Sequence, residues 1–154
     1  MLSPVGWQDI EDLCALKGDP LVYASMLGGV RSPVQVAIEL AEDVAFWAHY
    51  AVGIWMVRQE GVAIGLTGLH ERTDGLGIAL RFAFRPETRG QGLGREAAGA
   101  ALRFAHDRAG LQRVVAVARE ANIASRTLLG AIGMRECADF LRHGERVLVY
   151  ESLR

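Results

Sequence analysis

Apolar and polar positions follow two rhythms along the chain, and the rhythm changes just after residue 52. Before it the spacing is helical. Gln8 to Lys17 puts Ile10, Leu13, Cys14 and Leu16 on one side, with acidic residues in the first turn where they complement the helix dipole. In SPVQVAIELAEDVAFWAHYA, Ser32 is an N-cap and Pro33 the first helical residue, and Val36, Leu40, Val44 and Trp47 share a face. After it the period falls to two. GIWMVRQEGVAIGLTGLH reads as two strands joined by a tight turn at Gln59-Glu60-Gly61. LGIALRFAF is a third strand, with Leu80, Phe82 and Phe84 on one face and Arg81, Ala83 and Arg85 on the other, ended by Pro86.

The remainder alternates. A helix is expected from about Gly92 to Ala109, with Leu93, Ala97, Ala101 and Phe104 inward and Gly110 as its stop. RVVAVA (Arg113 to Ala118) is a short buried strand, and NIASRTLLGAIG a short helix capped by Asn122 and closed by Gly133. MRECADFLR and ERVLVYESL form a hairpin around His143-Gly144. The order is two helices, three strands, helix, strand, helix, two strands. It predicts a mixed sheet with helices, α/β or α+β in class, in one domain spanning residues 1–154. The strand–helix–strand unit from Leu80 to Ala118 is expected to be parallel and right-handed.

Charge and composition narrow the function. Formal net charge is −1 and the pI about 6.4, which argues against general nucleic-acid binding. Residues 1–60 carry eight carboxylates against three cations, whereas residues 81–126 carry nine arginines against four carboxylates. That second block suits an anionic ligand. No apolar run reaches the roughly 20 residues of a membrane helix, and MLSPVGWQDI lacks the basic start of a signal peptide. Cys14 and Cys137 make neither a metal pattern nor a disulfide framework, so a cytoplasmic protein without membrane or metal is expected.

The chemistry centres on RPETRGQGLGREAAGAALRFA, residues 85–105. Gly90, Gly92 and Gly94 lie between a strand and a helix, where backbone N–H groups can converge on one anion at the positive end of the helix. Arg89 and Arg95 add charge-assisted donors. The stretch lacks the Gly-Lys-Ser/Thr of a P-loop and does not match Gly-x-Gly-x-x-Gly. Arg89-Gly90-Gln91-Gly92-Leu93-Gly94 does fit Arg/Gln-x-x-Gly-x-Gly/Ala, the pyrophosphate-arm motif of the GNAT acyl-CoA N-acyltransferases.

Other blocks agree in order. WMVRQEGVAIGLTGL resembles the second and third strands of that family, and LRFAFRPETRGQGLGREAAGAALRFA its fourth strand, loop and main helix, including Glu96. NIASRTLLGAIGM resembles the Asn-x-x-Ser block of the branch that includes ribosomal-protein N-terminal acetyltransferases, and VLVYESL its last strand. The resemblance covers almost the whole chain. It implies a twisted mixed sheet of about six to seven strands with about four helices. It also implies acetyl transfer from acetyl-CoA to an amine, a small molecule or a peptide N-terminus, without a metal, by a monomer or homodimer.

Within that resemblance, residues 89–94 would hold the pyrophosphate, and the fourth strand at Phe82, Ala83 and Phe84 would receive the acetyl group and its oxyanion. An amine of pKa ~10 must lose a proton before it attacks, and a departing thiol of pKa ~8.5 gains from one. Many relatives place a tyrosine seven residues after the asparagine; here that position is Leu129. Ser125 matches the branch's serine near the thiol, and Asn122 would bond the pantetheine arm. Both also read simply as a helix cap and a first-turn residue. The family's strand glutamate is missing from IALRFAF, leaving His70, Glu71 and Glu136 as candidate bases. Glu96 reads as structural, Cys137 as a small core residue, His143 as a solvated turn, and Trp47, Trp55 and Tyr50 as packing, Tyr50 with access to the acceptor cleft. The first strand is shortened at MLSPV, so that sheet edge is abbreviated or completed by another chain. The competing reading is a non-catalytic acyl-CoA-binding module of the same fold.

Overall fold

A computed structural model describes residues 1–154. In chain order the elements are β1 (Leu2–Pro4), α1 (Ile10–Lys17), α2 (Pro20–Tyr23), α3 (Pro33–Tyr50), β2 (Ile54–Gln59) and β3 (Val62–Glu71). They continue with β4 (Ile78–Phe84), α4 (Leu93–Asp107), β5 (Arg113–Arg119), α5 (Ile123–Ala131), β6 (Arg135–Arg142) and β7 (Glu145–Leu153). Seven strands form one sheet in the order β1-β2-β3-β4-β5-β7-β6, antiparallel except for β4 and β5. The expected α/β class and the parallel β4–α4–β5 unit are therefore present.

The local signals act as their chemistry requires. Ser32 Oγ accepts from Gln35 N–H at 3.2 Å while the Gln35 side chain accepts from Ser32 N–H at 2.8 Å, a reciprocal cap on α3. Glu60 and Gly61 take φ of 50° and 81°, and His143 and Gly144 φ of 50° and 77°, closing the two hairpins. The edge strand β1 has three residues and pairs antiparallel with β2, so the abbreviated edge is observed within this chain.

Alternation on β4 assigns the two faces. Leu80, Phe82 and Phe84 pack toward α4, whereas Ala83 joins the cluster formed by α1, α2 and α3. Helices α1–α3 cover one side of the sheet and α4 the other.

Three sequence expectations need correction. Asp19 and Pro20 start a further short helix, α2, with the Asp19 side chain accepting from Leu21 N–H at 2.9 Å. Phe104, expected inward, is 37% exposed, its ring edge-on to Trp55, because the inward face of α4 is the alanine face. Cys137, expected in the core, is exposed on β6.

One feature of the sheet sets up the site. β5 runs beside β7 in continuous register from Arg113 to Arg119, yet β4 and β5 share a single paired position, Ala79 with Val115. Beyond it the strands diverge, and the β4 edge facing β5 has no strand partner.

Candidate active site

The glycine loop lies at the open end of that divergence. Pro86 to Thr88 make one 3₁₀ turn, and Gly90 and Gly92 follow at φ 81° and 76°, a left-handed conformation that suits glycine. Gly92 is the N-cap of α4 and offers no capping side chain. Arg89 N–H donates to Pro86 C=O and Glu96 N–H to Gly92 C=O, both at 3.0 Å, but no backbone N–H from Gly90 to Arg95 donates to any protein acceptor. Consecutive free amides on the positive end of a helix fit a pyrophosphate. The Gln91 side chain turns back to Glu87 C=O, so only its backbone is free for a ligand. Arg89 donates to Leu21 C=O at 3.2 Å, which ties the loop to the end of α2.

A cavity of about 310 Å³ opens from this loop, lined by Gly90, Gly92, Leu93, Gly94, Arg89 and Arg95 at one end and by Phe82, Ala83 and Phe84 along β4. Asn122, Ser125 and Leu128 of α5 form its far wall. Its roof is Val22, Ser25 and Met26, from α2 and the loop after it, which periodicity did not mark; the Asp19-Pro20 pair was the available signal. A second cavity of about 140 Å³ shares Ser25, Met26, Phe82, Asn122 and Ser125 with the first and runs on to Leu80, Val117, Ala118 and His70. One continuous cleft therefore passes through the gap between β4 and β5.

Asn122 Oδ1 accepts from Ser125 N–H at 3.2 Å, so the asparagine caps α5 and still has its amide NH₂ to offer. Both α5 readings of Asn122 are compatible with one geometry. Leu129 is 1% exposed and belongs to the core, while Leu128 lines the cleft. A tyrosine at 129 would thus point away from the cleft; the facing position is one residue earlier.

The base candidates separate in space. His70 lines the second cavity; Glu71 lies beyond it on the rim, in a third cavity. Glu136 is exposed on the outer strand β6 and touches none of these spaces. Glu96 lines two grooves outside the cleft, one beside β1 and one beside Gly92 and Arg95. No group of three His, Cys, Asp or Glu side chains is arranged to hold a metal ion, and no helix is long and apolar enough to cross a membrane.

Arg81 is the feature that sequence reading passed over. It stands on the β4 face toward α1–α3, half-buried, and touches the second and third cavities together. Its guanidinium lies 3.3 Å from His70 Nδ1 and has no carboxylate within 4.0 Å. A guanidinium only donates, so His70 Nδ1 is the acceptor and Nε2 carries the ring proton. Burial, with Arg81 and Arg72 nearby, pushes the His70 pKa well below 6.5, and the ring is neutral at pH 7.

This shift has a stability consequence. The unfolded chain binds the His70 proton more tightly than the fold does, so His70 favours folding above about pH 6.5 and this contribution is lost as pH falls toward the folded pKa. Urea melts between about pH 7.5 and 5 should show stability falling with acid, and His70→Gln should flatten that limb. An unchanged slope in His70→Gln would show that other groups produce it.

With this geometry in view, similarity to known proteins is decisive. The family model "Acetyltransferase (GNAT) domain" matches residues 1–135. The chain belongs to the GNAT acetyltransferases. Solved structures agree in fold. An acetyltransferase from Agrobacterium tumefaciens superposes with a TM-score of 0.85 at 22% identity, over 99% of this chain and 90% of that one. A ribosomal-protein-alanine N-acetyltransferase from Brucella melitensis gives 0.78 at 16%, over 100% and 99%. A spermidine N-acetyltransferase chimera from Vibrio cholerae and hSSAT gives 0.76 at 20%, over 99% and 94%. No curated protein matches the chain. As a GNAT enzyme the protein is an acetyl-CoA-dependent acyltransferase.

Proposed function

We propose that the enzyme transfers the acetyl group of acetyl-CoA to a primary amine, of a small molecule or a peptide N-terminus, by direct attack in a ternary complex. The free amides of Gly90 to Arg95, opening into the gap beside β4, are the observation that carries this reading. The loop holds the pyrophosphate, with Arg89 and Arg95 adding charge. The pantetheine arm runs between β4 and α5, where the Asn122 amide can donate to it. The thioester carbonyl lies beside Phe82 to Phe84, and an unpaired β4 amide supports its oxyanion.

The amine nitrogen attacks the carbonyl carbon, the C–S bond breaks, the amine gives up its own proton, and the thiolate takes one from solvent relayed through the Ser125 hydroxyl. His70 does not take that proton in this arrangement, since Nδ1 faces Arg81 and Nε2 is already protonated. The unneutralised Arg81 instead lowers the pKa of an ammonium beside it, so the amine arrives neutral and its proton leaves to solvent. His70 and Arg81 are positioning residues for the acceptor.

Thiol release from acetyl-CoA in the presence of a panel of amines tests the reading. Turnover dependent on an amine is expected; tight CoA binding with no turnover on any amine would establish the non-catalytic binding module instead. Ser125→Ala should lower kcat about 10-fold and leave KM for acetyl-CoA within about twofold, because a thiol of pKa ~8.5 already leaves readily. An unchanged kcat would reduce Ser125 to a first-turn residue of α5.

A further inference from the structure

Beyond Arg81 the cleft widens into a third cavity of about 590 Å³ between α3 and the end of β3. Its charges do not cancel. Glu39 is committed to Lys17 at 3.0 Å and Arg31 at 2.7 Å. Arg72 is committed to Asp74 at 2.5 Å. Glu42, Asp43 and Glu71 have no ion-pair partner, and against these three stand Arg81 and the one positive charge by which Lys17 and Arg31 together exceed Glu39, so carboxylates lead by one.

Asp43 is the unusual member. It sits on the inward side of α3 and is 6% exposed, yet its carboxylate accepts no hydrogen bond and has no cation within 4.0 Å. Its remaining exposure is to this cavity. A buried carboxylate without a partner is costly, and burial accordingly raises its pKa against the opposing pull of Arg81 and Lys17. Phe46 and Tyr50 line the same cavity, their rings packed on one another at 4.5 Å, and give it an aromatic wall beside the carboxylates. A bound cation would supply what Asp43 lacks.

We infer that the space between α3 and the end of β3 is a subsite for a second ammonium group of the acceptor, held by Asp43 with Glu42 and Glu71. The inference deepens the amine-acceptor reading and rests on it. The acceptor is a diamine or longer polyamine lying across Arg81. Its reacting nitrogen is neutral in the small cavity, where Arg81 is the uncommitted charge, and its distal nitrogen is charged in the large one, where carboxylates outnumber it.

The test uses α,ω-diamines of three to six carbons, the monoamines of equal length, and 4-aminobutanoate, which places an anion where the diamine has a cation. Diamines are expected to exceed matched monoamines in kcat/KM by about 10- to 100-fold, with 4-aminobutanoate poorest. Asp43→Asn should collapse that ratio toward one. Equal use of diamine and monoamine, or preference for 4-aminobutanoate, would overturn the subsite. So would an Asp43→Asn variant that slows both amines alike, since that is the signature of a structural role. Calorimetric titration of 1,4-diaminobutane into the CoA-saturated protein keeps the two readings apart. Binding that Asp43→Asn weakens, without turnover, would support the subsite and defeat the transferase reading. Turnover of monoamines without diamine preference would do the reverse.

Discussion

Gly92→Val is expected to lower affinity for CoA by about 100-fold or more while the protein remains folded. Gly92 caps α4 at φ 76°, and a Cβ built there meets no atom within 4 Å. The substitution therefore clashes with nothing in the protein. Its cost is the left-handed strain of an L-residue, about 1–2 kcal/mol and higher for a β-branched side chain, which a domain stable by about 5–15 kcal/mol survives. To relieve that strain the loop must rotate, and rotation disperses the free amides of residues 90–95. Even unrotated, the valine side chain would take up room in the cavity that Gly92 lines. Calorimetry with CoA, alongside far-UV circular dichroism, checks both halves. Unchanged affinity would mean that the loop does not hold the pyrophosphate. Gly94→Glu should act similarly. Its Cβ would lie 3.3 Å from Leu128 and Phe84, so the carboxylate enters the cavity in which the proposed pyrophosphate would lie.

Gly68→Ala should have the largest effect on the fold. Gly68 sits in mid-β3 at φ 147°, opposite Ile54 on one side and Arg81 on the other. An added Cβ would fall 2.1 Å from Gly53 O and 2.7 Å from Ile54 Cα, both backbone atoms that no rotamer change can move. Strain and overpacking together should cost about 3 kcal/mol or more and lower Tm by roughly 10 °C. Gly61→Ala is the control. Its φ of 81° is also left-handed, but nothing lies within 4 Å, so strain alone, about 1 kcal/mol, is expected. Equal losses in the two variants would show that close approach at Gly68 is not the cause. Surviving Gly68→Ala protein should also lose acceptor discrimination, since Gly68 fixes the spacing at which β3 presents His70 and β4 presents Arg81.

What the chain disclosed beforehand depended on how local each signal was. The Ser32-Pro33 start of α3, the Glu60-Gly61 and His143-Gly144 turns and the glycine loop are encoded by residues adjacent in sequence, and each lies where its chemistry requires. Helical period found the inward face of α3 at Val36 and Leu40, but could not mark Asp43, because a carboxylate between apolar neighbours reads as surface. Lys17 was unreadable for the same reason: it is 1% exposed only because Glu39, 22 residues on, reaches it. Counting seven residues from Asn122 led to Leu129, and helix geometry turns that residue into the core. The proposed donor half of the site lies in one contiguous loop, a pattern that sequence alone displays. The proposed acceptor half is assembled from α3, β3 and β4, and no local pattern carries it.

Strands β1–β4 and β5–β7 are almost two separate sheets meeting at one rung, bridged on one face by α4. An acyl-CoA lying in the gap would clasp them, donating and accepting where strand should meet strand. On the proposed reading the co-substrate would complete the strand pairing that β4 and β5 leave open. Grip on the donor and cohesion of the molecule become one property. A donor present at about 100 times its Kd would add about 2.7 kcal/mol to the folded state, and a mutation loosening either sheet half would be felt first as weakened hold on CoA.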